Sequence, residues 1–178
     1  MNENALLIFW NKLLCLEGFH VVHVDNDDPT EPVRLTVIPT TDLALCPHCQ
    51  RPCETIHRRY QAEPVKDLPL GSRPVDLIIR IYQFACPRCD HYFTPPSAAF
   101  AAGAHATERF LQHAVRLIRF SDVANAAAFL GVPEKTLEKW YYDYVERQQQ
   151  TTAATLQPIR QIGIDELALK KKLDSTSR

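Results

Sequence analysis

The sequence lacks any apolar run approaching the roughly 18 residues that a membrane helix needs. Its longest candidate, Ala5 to Leu16, is broken by Asn11 and Lys12. No basic segment precedes that run and no cleavage site follows it, so no signal peptide is expected and the expected location is cytoplasmic. A surplus of one charge is also missing: 20 basic side chains face 21 acidic ones, net −1, which excludes a uniformly basic nucleic-acid coat. Glycine is scarce, five against thirteen prolines, so connections are expected to be rigid. No internal repeat is evident, and the run Gln148 to Gln150 is the nearest thing to a low-complexity tract. What is present is globular composition: 46% hydrophobic and 23% charged residues exclude wholesale disorder.

The charge is unevenly spread. Residues 1–45 carry two basic and seven acidic side chains, and residues 46–89 carry seven and four, net +3. An acidic head thus precedes a basic segment bounded by cysteines, which suggests modules with separate tasks.

Hydrophobic spacing gives the outline. Leu6, Leu7, Trp10, Leu13 and Leu14 predict a helix over Asn4 to Leu16, with Gly18 as its stop. Phe19 to Val24 and Val33 to Ile38 read as a hairpin around a loop rich in Asp, Asn and Pro. Val75 to Phe84 is a strong strand whose incomplete alternation implies cover on both faces. From Thr107 the period becomes helical, with three helices marked by Phe110 to Ile118, Val123 to Leu130 and Leu137 to Tyr144. Ile162 to Ile164 begins like a buried strand and ends at Asp165 and Glu166. The organisation expected is a helix and hairpin over 1–45, a cysteine-bounded module over 46–95, a helical domain over 105–148 and a short further segment over 159–178.

Four of the six cysteines form two pairs, Cys46-Pro47-His48-Cys49 and Cys86-Pro87-Arg88-Cys89. Each Cys-x-x-Cys turn aims two thiolates at one point, and two such turns supply the soft tetrahedral set of a structural zinc. Disulfides are disfavoured in a cytosolic chain, and a redox site needs one such pair rather than two matched ones. Cys53, His57 and His91 are the alternative ligands, and Cys15 reads as an apolar helix residue.

Asp122 to Tyr142 has the pattern of a helix-turn-helix. Small Ala127 allows close approach, Gly131 permits a positive φ, Val132 plugs the turn, and Pro133 starts the second helix. Ser121 is the expected N-cap of the first helix. Leu137 and Trp140 pack inward, leaving Lys135, Thr136, Lys139 and Tyr142 outward as candidate DNA contacts, with Arg116 and Arg119 on the preceding helix for the backbone. Arg58 and Arg59, with Arg73, Arg80 and Arg88, are further candidate phosphate contacts in the basic segment. Glu134 and Glu138 favour the plainer alternative, a helical bundle with a solvated charged face.

Taken in order, Cys-Pro-His-Cys, Asp67-Leu68-Pro69, Phe84-Ala85-Cys86-Pro87-Arg88-Cys89, the helix-turn-helix and Ile162-Gly163-Ile164-Asp165-Glu166 resemble the N-terminal part of bacterial insertion-sequence transposases of the ISL-three type. The resemblance spans roughly residues 20–170. It implies an α+β chain in which a small β-rich zinc-ribbon-like module precedes a helix-turn-helix bundle and the start of a ribonuclease H-like catalytic domain. It implies binding to double-stranded DNA at terminal inverted repeats and association with the nucleoid, while the apolar helix Asn4 to Leu16 is expected either to pack on the hairpin or to pair two chains as a homo-oligomer. It makes Asp165 the first acid of a catalytic triad whose metal, magnesium, belongs to a full-length relative with two later carboxylates. After Asp165 only Glu166 and Asp174 are acidic here, so the expectation is a truncated and catalytically incomplete transposase. Its competitors are a DNA-binding regulator of transposition and a zinc interaction module that does not bind DNA.

Overall fold

The computed structural model describes residues 3–26 and 28–153. The chain divides into two compact units, Met1–Tyr144 and Val145–Arg178, and the fold below is that of the first. The segment 159–178, with Asp165 and Glu166, lies outside the described residues.

Helix α1 (Glu3–Leu14) ends four residues before the glycine that the spacing predicts as its stop. Cys15 takes a left-handed φ of 43°, its N–H donates to the Asn11 carbonyl at 3.1 Å, and the thiol is exposed rather than an apolar helix contact. Asn11, which breaks the apolar run, serves the adjacent strand: its amide accepts from the Val21 N–H at 2.7 Å and donates to the Val21 carbonyl at 3.1 Å. That satisfies both backbone groups of a residue where strand β1 (Phe19–Asp25) shifts register against β2 (Val33–Pro39). The β1–β2 hairpin is as expected. Its loop is held by Arg73, whose guanidinium donates to the carbonyls of Asp28 and Glu31, each at 2.7 Å, and to the Asn26 side chain. Arg73, a candidate phosphate contact, is half-buried and uses its guanidinium on these exposed loop bonds.

Short strands β3 (Ala44–Leu45) and β4 (Pro52–Cys53) form a two-stranded ribbon. They lead to β5 (Ile56–Gln61), β6 (Val65–Leu70), the 14-residue β7 (Arg73–Cys86) and β8 (His91–Phe93). β7 organises the sheet. Its first half pairs in parallel with β2 and antiparallel with β6; its second half pairs antiparallel with β5 and β8. The incomplete alternation noted in its sequence has a definite form. Val75, Leu77 and Ile79 are buried, then the parity flips and Tyr82, Phe84 and Cys86 are buried. The first set packs with Trp10, Leu14, Val21, Leu35 and Val37; the second with Ala44, Cys46, Cys53 and Phe93. One strand thus feeds two cores from opposite faces.

The helical part comprises α2 (Glu108–Phe120), α3 (Val123–Leu130) and α4 (Glu134–Ala153). Thr107 caps α2 and Asp122 caps α3, each accepting a backbone N–H from three residues on. The cap of α3 is therefore Asp122, not Ser121, which instead ends α2. Those N–H groups hold the exposed Asp122 carboxyl below its ordinary value. Gly131 closes α3 at φ 63°, and Val132, Leu137 and Trp140 fill the space between the helices with Ala127 and Leu130. A methyl group at Gly131 would meet nothing within 4 Å, so the cost of Gly131→Ala is that of the left-handed backbone alone. We expect a loss of about 1 kcal/mol in urea denaturation; an unchanged midpoint would deny the turn its dependence on glycine.

The helices are fastened to the sheet through one buried acid. Residues 105–107 run beside β6, with Lys66 N–H donating to the His105 carbonyl and Thr107 N–H to the Lys66 carbonyl, both at 2.9 Å. Asp67, next along β6, is 2% exposed. It accepts from Thr107 Oγ1 and Arg109 Nε, each at 2.7 Å, and from a second Arg109 nitrogen. Arg109 also donates to the Leu14 carbonyl at the end of α1.

Candidate metal centre and basic surfaces

Each cysteine pair sits on a tight strand connection. Cys46 follows β3 and its N–H donates to the Arg51 carbonyl at 2.9 Å, while its own carbonyl accepts from Gln50 N–H at 2.9 Å. Cys86 ends β7 and pairs with His91 on β8. The residue after each second cysteine, Gln50 and Asp90, takes a left-handed φ, 56° and 48°. Two unrelated residues share one strained conformation because both turns must reverse the chain while aiming thiols inward.

The result is a quartet. The sulfur atoms of Cys46, Cys49, Cys86 and Cys89 all lie within 4.8 Å of one another, and Cys49 Sγ is 3.7 Å from Cys86 Sγ. Zinc–sulfur bonds of about 2.3 Å at tetrahedral angles separate the sulfurs by about 3.8 Å, so the spacing fits the ion. Cys46 and Cys86 are buried, and Cys89 is outermost. Backbone N–H groups of Cys89 and Arg88 donate to the Cys86 sulfur and draw its pKa down to about 6, despite burial. Cys89 is pushed up to about 12, chiefly through its hydrogen bond with Cys49 and then by burial. Bringing all four to the thiolate form demands a cation, and a divalent soft-ligand metal supplies it.

The other candidate ligands lie outside the quartet, although Cys53 touches it through a hydrogen bond with Cys86. Cys53 belongs to the small core beneath it, and burial pushes its thiol up to about 11. His91 lies against His48, ring centroids 4.2 Å apart, and His57 against Tyr92 at 4.3 Å. The quartet is the metal-ligand cluster found among the described residues.

The candidate DNA contacts are distributed over three elements. On α4, Lys135, Lys139 and Tyr142 follow one another at four and three residues and share a face, while Leu137 and Trp140 occupy the buried one. Thr136 is half-buried, and Lys139 pairs with Asp143 at 3.1 Å. Arg116 and Arg119 are exposed on α2. Arg58 and Arg59 are exposed on β5, where the guanidinium of Arg58 lies 5.5 Å from the Tyr60 ring centre and that of Arg59 lies 5.2 Å from Tyr82. Sequence reasoning missed the aromatic partners, although the run His57-Arg58-Arg59-Tyr60 carries the signal.

Comparison with known proteins adds one match. Residues 42–89 match the family model described as the zinc-finger of transposase IS204/IS1001/IS1096/IS1165. No curated protein and no solved structure matches. The matched span contains both knuckles, so the chain is similar there to the zinc finger of these ISL-three type transposases, and Cys46, Cys49, Cys86 and Cys89 form a structural zinc site. Among the described residues no helix is long and apolar enough to cross a membrane.

Proposed function

We propose that the chain is the DNA-binding portion of an insertion-sequence transposase and that it recognises terminal inverted repeats. The observation that carries this reading is the pairing of α3 and α4 through the left-handed Gly131, which leaves Lys135, Lys139 and Tyr142 on the open face of the second helix, downstream of a transposase-type zinc finger. In this reading α4 enters the major groove. Lys135, Thr136 and Lys139 approach base edges, while Arg116 and Arg119 of α2 hold phosphates. Zinc has no chemical step here; it fixes the ribbon that presents Arg58 and Arg59. Asp165 belongs, on the same reading, to the catalytic part, and strand cleavage requires two further carboxylates beside it to hold the metal.

Binding to inverted-repeat and scrambled duplexes tests the proposal. Lys139→Ala should reduce the preference between them by about 1–3 kcal/mol. Arg59→Ala should weaken both alike and flatten the salt dependence. Equal weak affinity of the unaltered protein for both duplexes would overturn it. The zinc interaction module would then be preferred, an alternative favoured by the exposed apolar residues Ile8, Phe9 and Leu13 on α1.

A further inference from the structure

After the parity flip, the second half of β7 has a half-buried outer face, on which Ile81 still packs against the first core. Tyr82, Phe84 and Cys86 turn inward to the metal core, so Ile81, Gln83 and Ala85 lie on the opposite face. Register places their cross-strand neighbours there too: Tyr60 opposite Ile81, Arg58 opposite Gln83, and Tyr92 opposite Ala85. Thr94, two residues beyond Tyr92, lies 3.5 Å from the Tyr60 hydroxyl, which ties β5 to the end of β8 across the central strand. His57 stands at the register shift of β5, against the Tyr92 ring. Tyr92 is 50% exposed and Tyr60 is 36% exposed.

A metal-stiffened sheet therefore displays two tyrosines, an arginine and a histidine to solvent. These are planar or π-bearing groups held against one another, not side chains extended into water. Contacts to duplex phosphates need only cations. Two solvent-facing rings on one sheet face are instead suited to unpaired bases, which stack on aromatic side chains while arginine meets the backbone. The charge agrees: the segment 46–95 that builds this face carries seven basic and five acidic side chains, net +2, in a chain of net −1.

We propose that the outer face of the ribbon, centred on Tyr60 and Tyr92 with Arg58 and His57 beside them, is a binding site for single-stranded nucleic acid, separate from the α4 surface. It takes two to three unpaired bases by stacking and shows little sequence preference. It does not rest on the duplex reading and stands or falls without it.

The test uses the full chain, zinc-loaded, and a fluorescent oligothymidine of about 12 nucleotides, with a blunt duplex of equal length as control. Zinc content confirms that each variant is folded. Tyr92→Ala and Tyr60→Ala should each weaken single-strand binding about tenfold and leave duplex binding within about twofold. Tyr92→Phe should bind like the parent, because the ring and not the hydroxyl stacks. Lys139→Ala should leave oligothymidine binding unchanged. The proposal is overturned if the parent chain does not bind oligothymidine, if both tyrosine variants bind it as the parent does, or if they lose duplex and single strand equally.

Discussion

We expect Cys86→Ser to abolish zinc retention and to melt the ribbon. The purified parent should hold one zinc ion per chain. The core beneath the metal comprises seven buried residues, three of them cysteines, too little apolar area to fold by itself. Structural zinc contributes about 10–16 kcal/mol of apparent binding energy in small fingers near neutral pH, far more than that core can supply. The expected sign with pH follows from the thiols. Within the folded quartet the Cys89 and Arg88 N–H groups hold Cys86 low, at about 6, whereas Cys89, pushed up to about 12, must release its proton to bind. Affinity should therefore rise with pH, and should fall further as acid approaches 6 and protonates Cys86 as well. Elemental analysis gives the stoichiometry, and competition with a chelator at several pH values gives the trend. A Cys86→Ser protein that keeps one zinc per chain would sink the assignment.

The second large effect is expected at Arg109. Asp67 is almost wholly buried, and three of the hydrogen bonds around it come from Thr107 and Arg109. Its carboxylate in turn raises the Arg109 guanidinium above its ordinary value. Arg109→Met keeps much of the packing volume but leaves a buried carboxylate with one hydroxyl partner. Breaking such a pair costs about 3–5 kcal/mol, and the lower end is expected because the Arg109 side chain is 31% exposed. The helices should loosen first, since Arg109 and Thr107 both belong to the approach to α2. Urea denaturation followed at Trp140, with Trp10 replaced, would read that end of the molecule. Adding Asp67→Asn to Arg109→Met should restore part of the loss, because the stranded charge is gone; failure to restore any would show that the charge was not the cause.

Much of this architecture was legible from spacing. The β1–β2 hairpin, the three later helices and the paired cysteines follow local rules of period and turn chemistry. What was not legible is long-range or edge-related. β5 reads as polar because it lies at an edge and exposes residues on both faces, so it has no alternation to detect. The parallel pairing of β2 with β7 joins residues about forty positions apart and leaves no local mark. Asp67 did leave one: between Val65 and Pro69 it occupies the inward phase of a strand, where an acid requires a partner. The cap of α3 was misplaced by one residue because Ser121 and Asp122 are both good caps, and the backbone geometry that decides between them is not in the sequence. For the site, the metal ligands were fully specified by two short motifs, whereas the stacked face required the register of three strands.

The change of buried side along β7 also governs which lengths of this strand are permissible. One residue added between Arg80 and Ile81 would give both halves the same inward side, and Cys86 would then point away from Cys46 and Cys49. Two added residues would restore the facing but push the knuckle outward by about 6.6 Å, beyond the span of a single metal ion. The strand therefore tolerates substitution at its exposed positions far better than any change of length, and gaps in an alignment of related chains should avoid it.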